Sequence, residues 1–205
     1  MAVVALFVFM IILASILLLV ASLTSSLGAA DAFNSSLYNS DPNLRSAHNY
    51  LTIAAALGWS ALVVLIVVLI VGFFAGGFTI AEVSEVLLHD PTPSAEELAR
   101  VKAGEEVMAR SYTTQITVLV IFILINIVTL IVGILAVMAA IAINNMKNRD
   151  ASANAAYTQA VAASVTGLGG TGLLFVAIIA YISIRAARAE NLKETEKFLQ
   201  EHGAK

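Results

Sequence analysis

Four long apolar stretches dominate the pattern of hydrophobic and polar positions along the chain. The stretches without any Asp, Glu, Lys or Arg are residues 1–30, 51–81, 112–146 and 151–184. Each is longer than the roughly 20 residues that a helix needs to cross a bilayer core of about 30 Å. We therefore predict an all-α integral membrane protein with four transmembrane helices. The predicted spans are residues 3–23, 51–80, 115–143 and 156–184.

Composition agrees with a membrane as the solvent of this chain. Hydrophobic residues make up 60% of the sequence and charged residues only 12%, which lies far from the usual range of soluble domains. Four spans leave little chain for a separate soluble part, so we expect one domain over residues 1–205. The absence of cysteine excludes disulfides, thiolate metal sites and cysteine nucleophiles.

The first connection, residues 24–50, is rich in Ser, Asn and Asp, and we predict a polar loop there. Asp41-Pro42-Asn43 is typical of a turn. Asn34-Ser35-Ser36 is a glycosylation sequon, which makes Asn34 a glycan acceptor if the loop faces a lumen in a eukaryotic host. The apolar run before this loop is too long for a signal peptide and lacks a preceding basic residue, so we interpret it as an uncleaved span.

Helical patterns continue outside the predicted spans on one side of the membrane. The second helix keeps its periodicity until Asp90-Pro91, where proline stops it. Ser94 and Glu97 then form a capping box that starts a helix over residues 94–111, and this helix can run directly into the third span. Residues 185–202 form a charged helical tail whose opposite charges lie three or four residues apart. One edge of the tail is apolar, and a partner or another part of this protein could dock there; its residues are Leu192, Phe198 and Leu199.

Small and polar residues recur every three or four positions in the last two spans, which puts them on one face of each helix. Such faces let membrane helices approach closely. In an antiparallel hairpin about Lys147–Asn148, the two faces meet with Gly133 opposite Ala163 and Thr129 opposite Gly167. This predicted seam consists of Asn126, Thr129, Gly133, Ala136 and Ala140 on one helix and Ala156, Ala160, Ala163, Gly167 and Gly170 on the other.

Further glycines predict close contacts elsewhere. Gly72 and Gly76 form a GxxxG spacing in the second span, which favours helix packing, with dimerisation as the alternative. The run 167–172 holds four glycines, which is compatible with a locally unwound transporter helix. We favour close packing, because these glycines fit the seam.

The sequence offers little for catalysis. The three histidines, at positions 48, 89 and 202, lie outside the predicted spans, and no carboxylate lies inside one. Proton-coupled transport therefore lacks its usual signature. The acidic residues near the third span alternate with basic ones, which favours a solvated helical face over a metal site. We predict a non-enzymatic protein without cofactors, metal or nucleic-acid partners. A passive pore is the competing hypothesis, and its polar lining would be Gln115, Asn126, Thr129 and Gln159.

The distribution of basic residues predicts the orientation. Eight of the eleven Lys and Arg residues lie in the 81–111 region and the tail, which share one side with the amino terminus. Basic residues are retained on the cytoplasmic side, so both termini should be cytoplasmic. The extensions of helices 2–4 should therefore also lie on that side.

The layout resembles the membrane-embedded minor structural proteins of large icosahedral DNA viruses with an internal membrane. It is a small, cysteine-free, four-span chain with the Ser94 helix and a charged tail projecting to one face. The resemblance implies a scaffold that ties the virion's internal membrane to capsid proteins through the 81–111 region and the tail. Homo-oligomers would fit this role. The alternatives are a small channel or transporter-like protein and an accessory subunit of a cellular membrane complex.

Overall fold

Four long α-helices make up the chain in the computed structural model, which describes residues 2–76 and 95–201. The described residues contain no strand, so the all-α prediction is confirmed. The helices are α1 (Ala2–Asn34), α2 (Pro42–Gly76), α3 (Ala95–Asn144) and α4 (Ala151–Glu201).

Each helix contains a segment that is long and apolar enough to cross a membrane. Large hydrophobic side chains such as Phe9, Val63 and Phe175 are exposed along these segments. An apolar surface of this extent is unfavourable in water and is the normal outer surface of a helix bundle in lipid. The prediction of four candidate membrane spans is therefore confirmed.

The helices pack in a ring in which each packs mainly against two neighbours. The helix α1 packs against α2 and α4, and α3 packs against the same two helices from the opposite corner. Short connections over residues 35–41 and 145–150 make consecutive helices antiparallel. Both connections therefore lie at one end of the bundle, which we call the loop end, and Ala2 and Glu201 point to the other, the terminal end.

Buried positions recur alternately every three and four residues in all four helices. This repeat of 3.5 residues is typical of left-handed bundles, because it keeps one seam of each helix facing its neighbours. The repeat contains many Ala and Gly, which permit close helix contacts. The buried positions that form this repeat are 11, 14, 18, 21, 25, 28 and 32 in α1; 44, 47, 51, 54, 58, 61, 65 and 68 in α2; 122, 125, 129, 132, 136, 139 and 143 in α3; and 153, 156, 160, 163, 167, 170, 174 and 177 in α4.

The predicted loop over residues 24–50 is wrong, since only residues 35–41 connect α1 and α2. Thr24 and Ser26 fit into the helix because their hydroxyls donate to carbonyls of the same helix. Thr24 Oγ1 lies 2.8 Å from the Val20 carbonyl oxygen, and Ser26 Oγ lies 2.8 Å from that of Ser22. Burial of small residues nearby, such as Ala32, adds the packing that holds this part of α1 in the bundle.

The predicted turn at Asp41-Pro42-Asn43 is instead the start of α2. The Asn43 backbone N–H donates to Asp41 Oδ1 at 2.8 Å, so Asp41 caps the helix. Pro42 occupies the first helical position, where its missing N–H costs nothing.

The extension of the second helix through residues 81–89, its stop at Asp90-Pro91 and the Ser94 cap lie outside the described residues. The helix α3 begins at Ala95, directly after Ser94, and runs without interruption through the third span to Asn144. Gly72 and Gly76 lie in the last turns of α2, and the packing around them also falls outside the described part of the chain. The helix α4 is continuous through its glycine-rich run, so the unwound alternative is wrong.

Candidate functional site

A close contact between α3 and α4 lies at two glycines. A Cβ atom built on Gly167 would lie 3.0 Å from Gly133 Cα and 3.1 Å from Gly133 N. A Cβ atom on Gly133 would in turn lie 3.1 Å from the Leu168 backbone N. The two backbones are therefore in direct contact, as small-residue packing in lipid requires.

The register of this contact differs from the predicted one by about one helical turn. Gly133 meets Gly167 rather than Ala163, and the Cγ2 atom of Thr129 lies 3.6 Å from the position of a Cβ on Gly170. Small residues repeat every three or four positions, so sliding α4 by one turn still brings small residues together. The stripe identifies the face of each helix but does not determine the register.

Most of the predicted seam residues lie in the interior of the bundle, and the exceptions are Asn126 and Ala140, which are half-buried. The buried ones are Thr129, Gly133, Ala136, Ala156, Ala160, Ala163, Gly167 and Gly170. The buried face of α4 contacts two helices, because α4 packs against α1 as well as α3.

Sequence reasoning missed the seam between α1 and α4. A Cβ on Gly28 would lie 3.0 Å from Gln159 Cβ and 3.5 Å from the Ala156 carbonyl oxygen. Further along, a Cβ on Gly170 would lie 3.6 Å from Leu17 Cβ. Small residues at positions 14, 21, 25, 28 and 32 of α1 carry the same three-and-four spacing, which was the available signal.

The helices α1 and α2 also approach closely. A Cβ atom on Gly58 would overlap with Ser22 Oγ. That hydroxyl donates to the Leu18 carbonyl oxygen at 2.7 Å. Nearby, the indole N–H of Trp59 donates to Ser26 Oγ at 3.2 Å. This interface therefore combines close packing with a polar contact between helices.

At the loop end, Asp150 joins the two connections. Its Oδ1 accepts from the backbone N–H of Ala153 at 2.8 Å and so caps α4. Its Oδ2 accepts from the Ser35 hydroxyl at 2.8 Å, and from the Ser36 N–H at 3.0 Å and hydroxyl at 2.9 Å. These bonds favour the charged carboxylate and lower the pKa of Asp150 from 3.8 to about 2, with the Ala153 N–H as the largest cause.

The sequon lies in the same region. Asn34 is the exposed last residue of α1, and the Ser36 hydroxyl that completes the sequon binds Asp150. Beside it, the rings of Phe33, Tyr38 and His48 pack together with centroids 5.0–5.7 Å apart. The Nδ1 atom of His48 donates to the Ala29 carbonyl oxygen at 2.9 Å, so this histidine links α2 to the last turns of α1.

Toward the terminal end, three aromatic rings join α1, α3 and α4. Phe7, Phe122 and Tyr181 lie with ring centroids 5.4–5.9 Å apart. The Tyr181 hydroxyl donates to the Gln115 carbonyl oxygen at 3.3 Å. Gln115 itself is buried, so the bundle is packed at this level.

The apolar edge of the tail is partly used within the chain. Leu199 and Thr195 are buried, whereas Leu192 and Phe198 are half-buried. Because the buried area is covered by this chain's own residues, Leu199 docks on another part of this protein. It is not part of a surface open to a partner.

Chemistry-bearing groups do not converge in the described part of the chain. Within residues 2–76 and 95–201, no group of three or more His, Asp or Glu side chains could hold a metal ion. Many hydroxyl groups inside the spans bond to their own helix, as Thr129 Oγ1 does to the Ile125 carbonyl oxygen at 2.8 Å. The arrangement therefore provides packing surfaces and polar contacts at the bundle ends. No protein-family model, curated protein or solved structure matches this chain.

Proposed function

We propose that this chain is a non-enzymatic scaffold that anchors or organises a protein assembly at a membrane. The observation that carries the proposal is the length of α3 and α4, which have 50 and 51 residues. At about 1.5 Å per residue each measures about 75 Å, far more than a bilayer core of about 30 Å. With the apolar segments in the membrane, residues 95–114 and 185–201 extend beyond it by about 25–30 Å.

The two extensions leave the bundle in the same direction, because antiparallel α3 and α4 place them both at the terminal end. We call them the stalk. Its α4 part alternates acidic and basic residues, and Lys197 Nζ lies 3.9 Å from Glu201 Oε1. Burial of Thr195 and Leu199 keeps this part packed against the rest of the chain. A packed stalk can hold a partner at a set distance from the membrane.

The packing of the membrane part supports an anchor rather than a conduit. The backbones of Gly133 and Gly167 touch, and rings of Phe7, Phe122 and Tyr181 fill the space between three helices. A water-filled path would require polar side chains facing a common opening, whereas hydroxyls such as those of Ser22 and Thr129 bond within their own helices. The stalk is then the part that meets partners.

In its specific form, the proposal places the stalk and both termini on the cytoplasmic or inner side, where basic residues are retained. The partners are other membrane or capsid proteins, which the 81–111 region and the tail would contact. A minor structural protein of a virion with an internal membrane has this arrangement, and so does a membrane organiser in a cell.

Photo-crosslinking from the two ends of the bundle tests the proposal. A photoreactive residue replaces exposed Lys197 in the stalk or exposed Asn39 at the loop end. In the native membrane or particle, we expect protein adducts from position 197 and none from 39. Adducts from position 39 alone would refute the proposed stalk function.

Reconstitution tests the competing pore hypothesis. Vesicles that contain the full chain should show no selective ion flux. A reproducible conductance that changes with Asn126→Leu would contradict the anchor and support the channel.

A further inference from the structure

Asn126 is a polar residue near the middle of a membrane span. It lies eleven residues after Gln115, where the α3 span begins, or about 16 Å along the helix axis. Its side chain is half-buried, and its Oδ1 atom is shielded and has no hydrogen-bond partner among the described residues. A neighbouring hydroxyl, that of Thr129, is satisfied by its own helix. Asn126 therefore retains hydrogen-bonding capacity at a depth without water.

The neighbouring helix does not satisfy this side chain. Gly133, two turns along the same face of α3, packs on Gly167. Because α3 and α4 are antiparallel, two turns toward the terminal end lead from Gly133 to Asn126 on α3 and from Gly167 to Leu174 on α4. Asn126 therefore lies level with Leu174 and Phe175. These side chains offer no hydrogen-bond acceptor or donor. A carboxamide has two N–H donors and an acceptor oxygen, and lipid tails cannot bond to either.

The surface beside Asn126 is apolar and open. Ile123 and Leu130, one turn before and one turn after it, are 41% and 39% exposed. Ile134 continues the same exposed strip. We call Ile123, Asn126, Leu130 and Ile134 the α3 strip. It is a hydrocarbon surface with a single amide near its centre.

We propose that the α3 strip is the interface of a homodimer, in which Asn126 of one copy bonds to Asn126 of the other. Copies that insert with the same orientation can be related by a two-fold axis only if that axis is normal to the membrane. A residue near such an axis meets its own counterpart. A carboxamide is self-complementary, since each can donate to the oxygen of the other once it turns about its Cβ–Cγ bond. Small numbers of such bonds stabilise helix association in lipid.

This interface is independent of the scaffold role, because it lies within the membrane and not on the stalk. Failure of the stalk crosslinks would leave it standing. Conversely, a monomeric chain could still carry a partner on its stalk. The two proposals are therefore separable by experiment.

Disulfide crosslinking of the full chain in lipid vesicles tests the interface. The chain has no cysteine, so Ile123→Cys or Leu130→Cys introduces a single thiol beside an intact Asn126. We expect oxidation to give disulfide-linked dimers at both positions. The matched control is Ile16→Cys on α1, a residue 50% exposed on the helix diagonal to α3, which should stay monomeric. Equal crosslinking from position 16 would overturn the proposal, because it would indicate random collision.

Substitution of the amide gives the second readout. Asn126→Leu should raise the dissociation constant of the dimer in lipid by about tenfold to several hundredfold, as the loss of two such bonds implies. Asn126→Gln, which keeps the amide, should retain most of the dimer. Asn154→Leu, the same change at an exposed site near the loop end, should leave dimerisation unchanged. A wild-type chain that is monomeric at every protein-to-lipid ratio, or a dimer unaffected by Asn126→Leu, would refute the interface.

Discussion

The contact between Gly133 and Gly167 predicts that a single methyl group in the seam destabilises the protein. In Gly167→Ala the new Cβ would lie 3.0 Å from Gly133 Cα and 3.1 Å from Gly133 N. Carbon atoms in contact prefer about 3.5–4.0 Å. Both opposing atoms belong to the backbone, so they cannot rotate away. The helices must separate by about 0.5 Å, or the contact stays strained.

The expected magnitude follows from two opposing effects. Overpacking of a tight contact costs about 1–3 kcal/mol. Replacing Gly by Ala inside a helix favours the folded state by up to about 1 kcal/mol. The second effect is shared by every Gly→Ala change in α4, so a comparison within this helix isolates the first.

Gly172 provides the matched control. It lies in the same helix, five residues further along, and a Cβ built there meets nothing within 4 Å. Gly172→Ala should therefore be neutral or slightly stabilising. We expect Gly167→Ala to be less stable than Gly172→Ala by about 1–3 kcal/mol in the free energy of unfolding.

Unfolding in mixed detergent micelles measures this difference. The only tryptophan, Trp59, contacts α1 from α2, so its fluorescence reports separation of the helices, and circular dichroism reports loss of helix. Equal unfolding free energies for the Gly167→Ala and Gly172→Ala variants would refute the close contact. A larger loss in Gly167→Leu than in Gly167→Ala would support it.

Three further predictions concern other parts of the bundle. Gly58→Ala should destabilise the protein because its methyl overlaps with Ser22 Oγ, and Ser22→Ala in the same chain should restore stability in a double-mutant cycle of unfolding free energies; additive losses would contradict this. Asp150→Ala should cost about 0.5–2 kcal/mol through loss of the α4 cap. Because the pKa of Asp150 is about 2 when folded and 3.8 ordinarily, its contribution is complete above about pH 5 and is lost progressively as the pH falls through about 2; unfolding of the wild type should show this loss, and Asp150→Ala should not. Leu199→Ala should make the tail more sensitive to proteolysis than Lys197→Ala does, because Leu199 is buried and Lys197 exposed; equal cleavage would contradict burial of the tail.

The membrane class and the four spans could be predicted because hydropathy is a local property. A run such as residues 115–143 is apolar whatever its neighbours are, and a bilayer demands that its backbone be helical. The ends of the helices were harder to predict from the sequence. Residues 24–34 look polar, yet the hydroxyls of Thr24 and Ser26 bond to the same helix, and Gly28 packs on α2 and α4. At Asp41-Pro42-Asn43, the same residue types start a helix or make a turn, and the context decides.

The candidate interaction sites depended more strongly on tertiary structure. The sequence alone identified the faces of α3 and α4 that carry Gly133 and Gly167, since spacing along one helix determines which residues share a face. It did not determine that these two glycines meet, because the small residues repeat with the period of the helix and several registers satisfy them equally. Only the packing of all four helices selected one register. That packing gave α4 a second neighbour in α1, buried Leu199 within the chain, and left the Asn126 oxygen without a partner among the described residues.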